Sequence, residues 1–205
     1  MRIVGGRFRG TKLADPGPGD PAARLRPTSD RVREALFNLL AHGGFRAPPP
    51  PETCRVLDLF AGTGALGLEA LSRGAAMAVF IDDGAVARGL IRRNAETLGL
   101  TGQVKIWRRD ATYLGPCRGA PFDLVFLDPP YGHGLGAAAL ASAHAGGWLA
   151  PAALIVWEEA DIQDPPDWAD PLDQRRYGET AITLLRVRPA QSAPTLTAPS
   201  SPNCW

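Results

Sequence analysis

At 205 residues with 45% hydrophobic content, the chain is long enough for one domain with its own core and a small appendage. A formal charge of +1 excludes a strongly polybasic or polyacidic protein. Three scattered cysteines (Cys54, Cys117, Cys204), odd in number and without a CxxC pair, argue against a disulfide framework and against a zinc site, so no metal is expected. No apolar run approaches the roughly 18 residues that span a bilayer, and MRIVGGRFRG has no signal-peptide core, so a soluble cytoplasmic protein is expected.

The charge is unevenly placed. Residues 1–33 carry Arg2, Arg7, Arg9, Lys12, Arg24, Arg26, Arg31 and Arg33 against Asp15, Asp20 and Asp30, giving +5, and the remainder is −4. A basic arm on a mildly acidic body suits an anionic partner; solvated surface charge is the bland alternative for each residue.

In chain order, residues 2–13 (RIVGGRFRGTKL) alternate apolar and basic residues around glycines, the pattern of a short hairpin or paired strand. DPGPGDPAA (15–23) reads as a flexible connector. RPTSDRVREALFNLLAHGG (26–44) predicts a helix capped by Thr28 or Ser29, with Val32, Leu36, Leu39 and Leu40 as its apolar stripe and the arginines off it. APPPPE (47–52) is a stiff spacer. It divides a basic appendage, 1–46, from a main domain, 47–189, followed by a low-complexity tail, 190–205, expected to be disordered.

From residue 55 the pattern is strand, helix, strand. Strands are predicted over 55–60, 76–82, 103–110, 122–128 and 152–159, and helices over 64–74, 84–99 and 137–147. Two further strands around YGET within 173–188 form an antiparallel hairpin at the sheet edge. The expected architecture is α/β and Rossmann-like: a mostly parallel seven-stranded sheet with helices on both faces.

DLFAGTGALG (58–67) places Gly62, Gly64 and Gly67 between the first strand and its helix, with Asp82 about twenty residues on. This satisfies G-x-G-x-x-G, yet a ribose diol is common to NAD and to S-adenosylmethionine, and a glycine turn also serves a tight strand–helix joint. Asp58, inside the first strand, favours a cofactor with an ammonium group over one with a pyrophosphate. Asp110 is placed to accept from an adenine amino group beside Ala111, or merely to cap the next turn. Asp58, Asp82, Asp110 and Asp128 all mark carboxyl ends of strands, where open sheets of this kind bind ligands.

FDLVFLDPPYGHG (122–134) then ends an apolar strand in an acid, two prolines and a tyrosine. An exocyclic amino group on a nucleobase is a poor nucleophile because its lone pair is delocalised into the ring. Acceptors on Asp128 and the Pro129 carbonyl would orient its N–H bonds, with Pro129 and Pro130 stiffening the backbone. Tyr131 can stack on the base, an interaction worth roughly 1–3 kcal/mol. In-line attack on a methyl group about 3–3.5 Å away makes positioning the main source of catalysis. Asp128 can relay the proton, although no strong base is compulsory. The bland alternative is a proline turn with surface Asp and Tyr. His42, His133 and His144 form no cluster and are read as incidental, with His133 alone near enough to touch substrate. Asn94 and Trp107 are read as packing or capping residues.

Taken together and in this order, MRIVGGRFRGTKL, RPTSDRVREALFNLL, VLDLFAGTGALGLEALSRGA and FDLVFLDPPYG resemble the RsmD family of bacterial methyltransferases over about residues 1–188. RPTSDRVREALFN is the most discriminating stretch, because ordinary amino-methyltransferases lack it. The resemblance implies S-adenosylmethionine-dependent methylation of N2 of one guanine in 16S ribosomal RNA, on naked RNA or an assembling small subunit, by a monomer. It implies a catalytic tetrad of Asp128, Pro129, Pro130 and Tyr131, and a cofactor site lined by Asp58, Phe60, Gly62, Thr63, Gly64, Asp82, Asp110 and Ala111. Arg2, Arg7, Arg9 and Lys12 would then contact RNA phosphates, and Arg26, Arg31 and Arg33 would cover the cofactor mouth and complete the RNA-binding set. Family members usually carry Glu where this chain has Asp82, and the connector and tail are longer or richer in proline than usual. The competing readings are an adenine-N6 methyltransferase of DNA or RNA, an NAD-linked oxidoreductase, and a non-catalytic RNA-binding module. The DNA enzyme would need a target-recognition domain, and the oxidoreductase a second substrate domain.

Overall fold

The computed structural model describes residues 1–14 and 29–189; the connector, Arg24, Arg26, Thr28, Cys204 and the tail lie outside them. Seven strands form one sheet: β1 (Arg55–Leu59), β2 (Met77–Ile81), β3 (Val104–Trp107), β4 (Phe122–Leu127), β5 (Leu149–Glu159), β6 (Ala169–Tyr177) and β7 (Thr180–Val187). Their order is β3-β2-β1-β4-β5-β7-β6. β1 to β5 pair in parallel, while β7 runs antiparallel to both β5 and β6, the predicted hairpin at the edge. Among the described residues, the helices α1 (Asp30–His42), α2 (Ala65–Ser72), α3 (Ala85–Thr97) and α4 (Leu135–Ala145) accompany the sheet.

Parallel strands covered on both faces read as apolar runs, and alternate residues supply the two sides of the core. Val56, Phe80, Phe126 and Val156 pack with α1, α2 and α3. Leu57, Val79, Leu127, Ile155 and Trp157 pack with α4. None of the described helices is long and apolar enough to cross a membrane.

Three strand boundaries differ from expectation by three or more residues, β5 starting at Leu149 rather than 152. β6 begins at Ala169 and carries Pro171 beside a register shift, which an edge strand tolerates because its outer N–H groups need no partner. β3 stops at Trp107, and two residues on the Arg109 guanidinium lies over the rings of Trp107 and Trp148.

The N-terminal arm is a closed loop with a single bridge between Arg2 and Lys12 and a 3-10 turn over Gly6–Phe8, in place of regular strands. Its apolar residues Ile3 and Leu13 are buried in the same core as Leu36, Phe37 and Leu40 of α1 and Val56 of β1. That core therefore continues across the proline spacer.

Helix α1 starts where its cap predicts, with Ser29 Oγ accepting from Val32 N at 3.3 Å. Its buried face differs from the predicted stripe. Val32 and Leu39 are only half-buried, and the inner face is Arg33, Leu36, Phe37 and Leu40. Arg33, expected at the cofactor mouth and in the RNA-binding set, is fully buried and unavailable to a phosphate. Its guanidinium lies 2.7 Å from Asp30 Oδ1 and 3.6 Å from Glu69 Oε2, and it also donates to the Arg2 carbonyl.

Glu69, fully buried on α2, collects the other ends of this network. It accepts from Val4 N at 2.8 Å and pairs with Arg73 Nε at 2.8 Å. Ser72, one turn on, accepts from Phe8 N at 3.0 Å and donates to the Gly5 carbonyl at 2.6 Å. The arm is thus bolted to α2 by a buried charge that must stay paired. Glu69→Ala, which strands Arg33 and the Val4 N–H, is expected to lower unfolding free energy by about 3–5 kcal/mol in urea denaturation.

Candidate active site

The chain leaves β1 toward β2 on one side, while β4 lies on the other, so a crevice opens at their carboxyl ends. Leu59 pairs with Leu127 as the last residues of their ladder. The segments that follow, Phe60–Gly64 and Asp128–Tyr131, must therefore emerge beside each other.

The glycine turn is built largely from backbone. Gly62 and Gly64 adopt φ of +54° and +77°, conformations that favour glycine. Phe60 adopts φ +56°, a strained conformation for an aromatic residue, costing about 1–3 kcal/mol and concentrated at functional sites. Gly64 N donates to Ala61 O at 2.7 Å, and Ala61 N to Ile81 O at 3.1 Å, tying the turn to β2. A side chain on Gly67 would collide with the Phe80 ring, so this glycine sets how closely α2 lies on the sheet.

Two acids bond to this turn, and a third follows β3. Asp58 is 2% exposed, and its Oδ2 accepts from Gly67 N at 2.9 Å. Burial pushes its carboxyl up to about 8, only partly opposed by the Gly67 bond and reinforced by the nearby Asp82 charge. Asp82 accepts from Gly62 N at 2.9 Å and Gly84 N at 2.8 Å, and burial raises its pKa as well. Its two oxygens keep lone pairs for a further donor. Asp110 lies three residues past the end of β3, exposed, with Oδ1 taking both the N–H and hydroxyl of Thr112 at 2.8 and 2.7 Å. That is the turn-capping alternative; Ala111 beside it is buried.

On the other side of the crevice Asp128 is half-buried, Pro129 buried and Pro130 exposed. The Tyr131 hydroxyl donates to Glu158 Oε1 at 3.1 Å and lies 3.4 Å from Thr180 Oγ1. Burial raises the phenol pKa, Thr180 opposes the shift, and the Glu158 and Asp128 carboxylates add to it. Glu159, on the next position of β5, is held by the N–H groups of Ala160 and Gly132, and burial raises its pKa. The loop after Tyr131 is therefore attached to the end of β5 by two acids. His133 is exposed beyond them, and His144 stacks on Trp168 with centroids 4.2 Å apart.

The basic residues of the arm stay outward. Arg2, Arg7, Arg9, Lys12 and Arg31 are exposed; Arg2 lies 3.5 Å from Asp30, and Arg7 covers the Phe8 ring at 4.3 Å.

The family model described as "Conserved hypothetical protein 95" matches residues 1–186. The chain belongs to that family, the RsmD methyltransferases. Among relatives, it is 42% identical to "Ribosomal RNA small subunit methyltransferase D" of Escherichia coli, covering 93% of this chain and 91% of the relative. It is 35% identical to the protein of the same name from Haemophilus influenzae, covering 82% and 84%. The solved Escherichia coli structure named "Putative methyltransferase yhhF" superposes with a TM-score of 0.75 at 36% identity, over 92% of this chain and 98% of that one. The Rossmann-like fold of the RsmD family and its methyltransferase character hold for this chain.

Several residues at this site escaped the sequence. Glu158 and Thr180 hold Tyr131, and Glu159 holds Gly132; WEE at a strand end was the only available signal. Asn94, read as a packing or capping residue, is buried and also donates to the Thr63 carbonyl at 3.0 Å within the glycine turn.

The raised pKa of Asp58 has a definite sign. The folded chain holds a proton there that the unfolded chain, with an ordinary carboxyl near 4, releases, so this group's contribution to stability is lost as pH rises from about 4 to 8. Thermal unfolding temperature of the ligand-free protein is expected to fall across that window, and Asp58→Asn to flatten the fall.

Proposed function

We propose that the chain transfers a methyl group from S-adenosylmethionine to the exocyclic N2 of a guanine in 16S ribosomal RNA. The supporting observation is the placement of Asp128-Pro129-Pro130-Tyr131 next to the glycine turn at the reversal point of the sheet. The names of the relatives support the RNA class.

The residues present fit this cofactor by their chemistry. Asp58 is a nearly buried carboxylate that accepts from a backbone N–H and lies near a second acid, a setting that an ammonium group would complete. Asp82 carries acceptors for a ribose diol, and Gly62 and Gly64 leave the turn without side chains between. When bound, S-adenosylmethionine supplies an electrophilic methyl group on a sulfonium. Asp58, Asp82 and the turn residues Phe60, Gly62, Thr63 and Gly64 would hold it, with Asp110 and Ala111 at the adenine end.

The protein's own contribution is orientation. Asp128 and the Pro129 carbonyl accept the N–H bonds of the target amino group, and the Tyr131 ring stacks on the base. Glu158 and Thr180 hold the Tyr131 hydroxyl, so the ring is fixed before the base arrives. Asp128 receives the proton as the amino group loses it. Arg2, Arg7, Arg9, Lys12 and Arg31 face outward to hold phosphates while the guanine leaves its stack, and Arg26 joins them from outside the described residues.

Mass spectrometry of ribosomal RNA from cells with and without the gene tests the reading. The expected loss is one N2-methylguanine in the small-subunit RNA, and an unchanged spectrum overturns it. Asp128→Ala is expected to keep S-adenosylhomocysteine affinity while lowering methyl transfer to background, measured by titration calorimetry and a radiolabelled-methyl assay. Replacing Arg7 and Arg9 together by alanine is expected to weaken RNA binding. The slope of log affinity against log salt should fall by about one for each phosphate no longer neutralised.

A further inference from the structure

We propose that Asn94 is a positioning residue that couples order in the N-terminal arm to the shape of the glycine turn, so that RNA and cofactor strengthen each other's binding. The inference rests on the cofactor and RNA reading above and goes beyond it by naming the link between the two sites.

Asn94 is 1% exposed on the inner side of α3. Its Oδ1 accepts from Ala14 N at 2.7 Å, and its Nδ2 donates to Ala14 O at 3.1 Å and to Thr63 O at 3.0 Å. One acceptor and two N–H donors are the complete hydrogen-bonding capacity in kind of an asparagine amide, and each is used. Toward Ala14 the amide behaves like a neighbouring strand, exchanging both bonds with a single residue. Toward Thr63 it holds the carbonyl that lies between the two glycines.

That carbonyl and the Gly64 N–H belong to one planar peptide. Its N–H side is fixed by Ala61 O at 2.7 Å, and its C=O side by Asn94. The orientation of the peptide at the base of the turn is therefore set by a side chain that the arm itself holds. A second contact reaches the same residue from the other end of the arm, with Thr63 Oγ1 3.7 Å from Met1 Sδ. The arm closes on itself through Ile3 N to Thr11 O, Gly10 N to Ile3 O and Leu13 N to Met1 O. One end of this closed loop thus touches Thr63 directly and the other reaches it through Asn94, while the outer side carries exposed Arg7, Arg9 and Lys12.

Ordering the arm from outside, by phosphates on those cations, restrains Asn94 and with it the turn. Linkage then requires that cofactor occupancy tighten RNA binding by the same factor.

Two variants remove the link from opposite ends. Asn94→Leu deletes all three bonds at similar volume. Ala14→Pro deletes the N–H that Asn94 accepts and leaves the Asn94–Thr63 bond in place. S-adenosylhomocysteine affinity is measured by calorimetry with and without an unmethylated small-subunit ribosomal RNA transcript, and hydrogen exchange is followed at residues 1–14. For the unaltered protein, the transcript is expected to tighten S-adenosylhomocysteine on the order of tenfold, and S-adenosylhomocysteine to slow exchange in the arm. In Ala14→Pro, which keeps the carbonyl of residue 14 and the Met1 contact, both effects should shrink while RNA-free affinity is kept; in Asn94→Leu both should shrink further and the RNA-free affinity should fall too. Should Asn94→Leu fail to fold, Ala14→Pro decides alone. Coupling of unchanged size in Ala14→Pro overturns the proposal, as does an unaltered protein that binds S-adenosylhomocysteine with no response to RNA. Failure of the unaltered protein to bind S-adenosylhomocysteine at all overturns the cofactor reading and removes the link with it.

Discussion

The parallel pairing of β1 with β4 is the constraint from which the site follows. Two strands that run the same way and end together at Leu59 and Leu127 must release their next residues side by side. One release is a glycine turn and the other a carboxylate with two prolines and a tyrosine, so the two segments proposed to hold the methyl donor and the target base face one crevice without any special loop. Asp58 is buried because it sits within β1, and burial raises its pKa by disfavouring the charged form.

A second layer of interactions holds these pieces in place. Glu158 and Glu159 fasten the tyrosine loop to β5, and Glu69 and Asn94 fasten the arm to α2 and to the turn. Each of these four is a nearly buried polar side chain with at least one partner far away in sequence, which makes it specific and intolerant of partial loss. The basic arm is consequently part of the core through Ile3 and Leu13 while presenting its cations outward.

What the sequence made legible depended on local signals. Strands β1, β2 and β4 read as apolar runs, and the helices began after recognisable turns, because burial on both faces leaves a pattern within each segment. Gly62, Gly64 and the residues from Asp128 to Tyr131 stood out because a left-handed turn and a stiff proline step demand particular residue types. Arg33 did not, because its burial is decided by Glu69 on another helix; in isolation an arginine on α1 reads as solvent-facing. Asn94 was hidden for the same reason, since its partners are Ala14 and Thr63. The role of Asp110 was open in the sequence, and the structure gives one of its oxygens to Thr112.

The docking of the arm also bears on the order of events during synthesis. The arm leaves the ribosome before the body of the domain, yet the groups that satisfy Val4 and Ala14 sit on α2 and α3. Met1 to Ala14 must therefore wait, with Ile3 and Leu13 uncovered, until translation has delivered Glu69 and Asn94. A nascent chain stalled before α3 would display a sticky basic segment, the form most prone to associate with neighbouring chains or to recruit a chaperone.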